Sequence, residues 1–104
     1  MAFDMGNYQY LVKQFKKETA NRMYLLLGLS GEVGELHSKA AKQIRDETPE
    51  DLEALKAELG DILWFVAMLA DVWGFDLGDV AMDNYQKLKS RMERNVIGGS
   101  GDNR

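Results

Sequence analysis

Between Arg22 and Gly74 the apolar residues recur at helical spacing in two long runs, separated at Thr48-Pro49-Glu50-Asp51. The first run carries Met23, Leu26, Leu27, Val33, Leu36, Ala40 and Ile44 on one stripe, and the second carries Leu52, Leu55, Leu59, Ile62, Leu63, Val66, Leu69 and Trp73. Two amphipathic helices joined by so short a break bury both stripes when they fold back on each other. The break holds the single proline of the chain. Thr48 is suited to cap the second helix, Pro49 to its first position, and Glu50 and Asp51 to the positive end of its dipole. The pattern therefore predicts helices over 22–46 and from 49 to 73, the latter ended by Gly74 in the left-handed conformation.

The flanks are also helical. Tyr8, Leu11, Val12 and Phe15 fall at i, i+3, i+4 and i+7, which predicts a helix over 6–17, and Asp76 is placed to cap another over 77–94 with Val80, Ala81, Leu88 and Met92 on its apolar side. No alternating pattern supports a strand. The expected fold is all-α, a four-helix bundle with two long antiparallel central helices, forming one domain over 1–95, followed by a flexible glycine-rich tail over 96–104. With 45% hydrophobic residues the chain has enough apolar surface for a modest core. It has no cysteine, which excludes disulfides and thiolate zinc sites. Neither a secretory signal nor a twenty-residue apolar run is evident, so a cytoplasmic protein with no membrane partner is expected. A formal charge of -4 argues against sequence-independent nucleic-acid binding. An anionic substrate would need a metal ion or a local basic stripe.

Chemistry concentrates in Gly28-Leu29-Ser30-Gly31-Glu32-Val33-Gly34-Glu35-Leu36, where two carboxylates three residues apart share a helix face. Glu58 and Asp61 repeat the spacing on the next helix. In an antiparallel hairpin turning near Glu47 and Thr48, the two pairs lie roughly 21 Å and 18 Å from the turn at about 1.5 Å rise per residue, which makes them level. Four carboxylates so gathered repel one another, by about 1 kcal/mol per pair at 4 Å in water and about 4 at an effective dielectric of 20. A divalent cation removes that cost, and oxygen-only ligands favour magnesium or manganese. The competing reading of each pair is a solvated helix face. Gly28, Gly31 and Gly34 sit inside a helix at about 1 kcal/mol each relative to alanine. Either close helix packing or close approach of a ligand is the return.

The run from Gly28 to Leu36, followed by Glu58-Leu59-Gly60-Asp61-Ile62-Leu63-Trp64-Phe65, resembles the MazG-like nucleoside triphosphate pyrophosphohydrolases of the all-α NTP pyrophosphatase superfamily. Their signature is EExxE, a spacer, then ExxD. Glu32 and Glu35 match its second and third glutamates, Glu58 and Asp61 match ExxD, and Gly31 stands where the first glutamate would be. The resemblance spans about residues 20–95. It implies hydrolysis of a nucleoside or deoxynucleoside triphosphate between the α and β phosphates, with magnesium or manganese as cofactor. Glu32, Glu35, Glu58 and Asp61 would be the metal ligands, and either Glu32 or Glu35 the base. It also implies a homodimer, or a pair of dimers, with the site near the subunit interface. The reading from another class is a non-catalytic helical module that binds nucleotide or a partner protein.

On the last helix, Asn84, Lys87, Arg91 and Arg94 form a polar stripe, and Asn84 with Lys87 resembles an N-x-x-K element of the family. Asn84, Lys87 and Arg91 are thus phosphate-binding candidates, against the alternative of a solvated basic face. Lys39, Lys42 and Arg45 make a second stripe, in which Lys39 lies at i+4 from Glu35 and suits an ion pair with it. Trp64 and Phe65 are candidates to stack on the base, or else core residues. His37, the one histidine, cannot supply the two Glu-x-x-His elements of a ferritin-like di-iron site.

Overall fold

A computed structural model describes residues 2–95, so the tail expected over 96–104 lies outside the described residues. Four α-helices follow in order: α1 (Met5–Val12), α2 (Arg22–Arg45), α3 (Leu52–Val72) and α4 (Leu77–Glu93), with a 3-10 turn at Lys13–Phe15 after α1. No strand occurs among the described residues. Each helix begins at a side chain that accepts a hydrogen bond from the third backbone N–H ahead. Asp4 receives Asn7 N at 2.8 Å, Asn21 receives Tyr24 N at 2.9 Å, Asp51 receives Ala54 N at 3.2 Å and Asp76 receives Asp79 N at 3.1 Å.

Two boundaries depart from the sequence pattern. The helix expected over 6–17 is α-helical only to Val12; its last turn tightens to 3-10, and Lys16 then takes extended backbone at φ -83 and ψ 126. The third helix starts at Leu52 under an Asp51 cap, not at Pro49 under Thr48. The reason lies in the backbone of Thr48, whose N–H donates to Gln43 O at 3.1 Å and closes the end of α2 with Glu47 in the left-handed region at φ 54. Thr48 belongs to the preceding helix, and Pro49 falls in the link. Gly74 has φ +81, as its position after the third helix requires.

The long hairpin of α2 and α3 is the main packing unit, and α1 lies against α3 and α4. The buried core runs along α3 at Ala67, Met68, Leu69 and Ala70, closed by Leu25 from α2, Ala20 before it and Leu77 at the start of α4. Leu25, Met68 and Leu77 are fully buried, each contributing about 1.5–3 kcal/mol of transfer free energy. A buried amide ties α1 to this core. Gln9 Nε2 donates to Ala67 O at 3.2 Å and Phe75 O at 3.0 Å, while its Oε1 accepts from Leu77 N at 2.9 Å. Two of the three contacts lie where α3 turns into α4, and the third is inside the last turns of α3.

Much of the amphipathic pattern is not used within the chain. Seven hydrophobic residues are buried, against nineteen large ones exposed among the described residues, including Leu27, Ile44, Leu52, Leu59 and Met92 on the predicted stripes. Four helices arranged in this way have too few neighbours to cover both sides of the α2–α3 hairpin.

Candidate metal centre

Glu32 on α2 and Glu58 and Asp61 on α3 form one cluster, each offering a carboxylate oxygen within 4.8 Å of the others. The antiparallel hairpin brings the two arms level, as the spacing from the turn requires. Glu58 is buried, Glu32 half-buried and Asp61 exposed, so the cluster opens to solvent on one side. Glu35, the fourth acid expected there, is exposed and stands outside the cluster. Its charge is nonetheless felt at Glu32.

The electrostatics of the cluster are uneven. Lys39 Nζ reaches across from α2 and donates to Glu58 Oε1 at 2.9 Å, instead of pairing with Glu35 on its own helix. That hydrogen bond is the first cause holding the Glu58 carboxyl below the usual carboxylate range. Glu32 is pushed above it, first by the hydrogen bond its protonated form makes to Glu58, then by burial and the charges of Asp61, Glu58 and Glu35. The other Glu58 oxygen, Oε2, is buried without a hydrogen-bond partner. A bare carboxylate oxygen away from water is costly unless a proton or a cation meets it. A hard divalent ion fits this donor set of three carboxylates, one already deprotonated and oriented.

Gly28 fixes how closely the two arms approach. A Cβ there would lie 2.2 Å from Phe65 Cε1, so the ring of Phe65, one turn beyond Asp61, occupies the space a side chain would fill. Gly31 and Gly34 have nothing within 4 Å of such a Cβ. Of these three α2 glycines, then, only Gly28 is explained by packing within the chain. Phe65 also meets Trp64 edge to face, with ring centroids 5.0 Å apart, and Tyr24 at 6.4 Å. Trp64 donates from Nε1 to Val12 O at 3.1 Å, which binds α1 to α3. Part of Trp64 still lines an open cleft of about 370 Å³ with Phe15, Lys17, Thr19, Ala20 and Tyr24. Sequence spacing held no sign of this cleft, because Phe15 and Tyr24 reach it from segments that the sequence does not place side by side. Tyr8 was also missed. Its hydroxyl is raised above the ordinary tyrosine range by burial and then by the charge of Asp61, which puts α1 within electrostatic reach of the cluster.

The α4 stripe is divided. Asn84 and Lys87 line a shallow depression with Phe75, Val80 and Asp83. Arg91 is buried at 3% exposure. Arg94 Nε donates to Ser90 Oγ at 3.1 Å.

The protein is thus an all-α hairpin that gathers carboxylates from both its arms into one cluster, a donor set that suits a hard cation. The MazG nucleotide pyrophosphohydrolase domain matches residues 21–96, which include α2, α3 and α4, and the chain belongs to that family. Among similar proteins, the Gene 37 protein of Mycobacterium phage L5 is 49% identical over 88 residues, covering 78% of this chain and 75% of that protein. Uncharacterized protein YvdC of Bacillus subtilis (strain 168) is 34% identical over 74 residues, covering 62% of this chain and 70% of that protein. No solved structure matches the chain.

Proposed function

We propose that the protein is a magnesium-dependent pyrophosphohydrolase that cleaves a nucleoside or deoxynucleoside triphosphate between the α and β phosphates, giving the monophosphate and pyrophosphate. The observation that carries this reading is the cluster of Glu32, Glu58 and Asp61, with its unpartnered Glu58 Oε2, on the hairpin of a MazG domain. Glu32, Glu58 and Asp61 would hold the ion, with exposed Glu35 free to turn in as a fourth ligand or as the base. Magnesium or manganese bound there supplies charge neutralisation for phosphate oxygens and a water of lowered pKa. The cleft of Tyr24, Trp64 and Phe15 begins one to two helical turns from the carboxylates and suits a stacked base. Asn84 and Lys87, which line one depression on α4, would contact the phosphates. The exposed apolar stripes favour a homodimer or a dimer of dimers, and the protein would act in the cytoplasm.

The test is a panel of triphosphates with magnesium or manganese, read by pyrophosphate release. The expected result is release with at least one of them, lost in Asp61→Asn. If no triphosphate releases pyrophosphate but one binds, the chain is instead a nucleotide-binding helical module.

A further inference from the structure

Lys39 is a basic side chain hydrogen-bonded directly into the carboxylate cluster, and the hydrolytic reading gives it no task. It bonds Glu58 Oε1 at 2.9 Å, leaving Oε2 buried and bare. The two partners differ in freedom. The Lys39 side chain is 35% exposed and the Glu58 side chain 11%. The ammonium sits on a flexible four-carbon stem at the edge of the site, whereas the carboxylate is packed between two helices. A dication accepted by Glu58 would stand beside an ammonium already held on the same carboxylate. Like charges so close repel by more than one hydrogen bond returns, and the partner able to leave is the lysine.

We propose that Lys39 is the resident cation of the metal-free centre, occupying the Glu58 carboxylate until a divalent ion displaces it. The proposal rests on the metal-centre reading above and concerns only how the centre is filled. Free protein divides between a state with Glu58 held by Lys39 and a state with Glu58 open. Only the second accepts the ion, so the apparent affinity is lower than the intrinsic one by the open fraction. Removing the ammonium should therefore tighten metal binding, whereas loss of a residue that merely orients a ligand weakens it.

The test is Mn2+ titration calorimetry on nucleotide-free wild type, Lys39→Met, Lys39→Gln and Lys39→Arg, with helical content checked by circular dichroism. Lys39→Met and Lys39→Gln should bind about threefold to tenfold more tightly, the range of a half-buried charge-assisted pair. Lys39→Arg, which keeps the charge, should bind more weakly than either and close to wild type. Weaker or unchanged binding in the two neutral variants, with wild type still binding Mn2+, overturns the proposal and leaves the metal centre standing. A wild-type protein that takes no Mn2+ overturns the centre itself.

Discussion

Replacing Gly28 by alanine sets two effects of opposite sign against each other. Alanine is favoured over glycine inside a helix by about 1 kcal/mol. Its Cβ, however, would lie 2.2 Å from Phe65 Cε1, 2.5 Å from Cζ and 3.0 Å from Cδ1, where ordinary contact begins at 3.4 Å. The ring must retreat by more than about 1 Å, and Trp64 and Tyr24 stand on its flanks. Overpacking of this kind costs about 1–3 kcal/mol, and here the upper part of that range applies, so Gly28→Ala should lose about 1–2 kcal/mol net. For a domain of this size that lowers Tm by roughly 5–10 °C. Gly31→Ala is the internal control: with open space around its Cβ, it should gain about 0.5–1 kcal/mol. Urea unfolding followed by circular dichroism measures both. The double variant Gly28→Ala with Phe65→Leu should recover part of the loss, because the smaller side chain vacates the ring's space. A Gly28→Ala protein at least as stable as wild type would refute the claim that this glycine exists for Phe65.

Other outcomes rest on single contacts. Gln9→Leu strands the Phe75 carbonyl and the Leu77 N–H in the core and removes a second bond to Ala67 O, and should lower stability by about 2–4 kcal/mol in thermal or urea unfolding. Trp64→Phe removes the bond to Val12 O and should cost about 1 kcal/mol, seen as earlier loss of α1 protection in hydrogen exchange. Tyr8 has a raised folded pKa, so its contribution is fully present below its unfolded value of 10.0 and is lost as pH rises through the folded value. Thermal melts of wild type and Tyr8→Phe should run parallel up to about pH 9.5 and diverge above pH 10, with wild type losing more.

The hairpin was legible in the sequence because periodicity, caps and a single proline all act within a few residues of one another. Asp76 and Gly74 behave as their local chemistry dictates. Thr48 does not, because the same residue can open one helix or close another, and only the bond to Gln43 O decides between them. The cluster was legible from spacing to the level of a helical turn, which placed Glu32 with Glu58 and Asp61 but could not foresee that Glu35 stands outside it. Lys39 was paired with the wrong acid, since an i+4 rule sees only its own helix and Glu58 lies on the facing one. The positions of Asn84 and Arg91 depend on how α4 crosses α1 and α3, for which a helical stripe holds no information.

The three hydrogen bonds of Gln9 also bear on the order in which the molecule assembles. They span 58, 66 and 68 residues of chain, whereas the α2–α3 hairpin closes through a short link. The Gln9 amide on α1 thus cannot complete its bonds until the chain has extended through Leu77, whereas the hairpin needs only α2, α3 and their link. Stopped-flow measurements should then show Gly28→Ala slowing folding and Gln9→Leu chiefly speeding unfolding. The carboxylate cluster, carried entirely on the hairpin, would exist before the helix that completes the fold has settled.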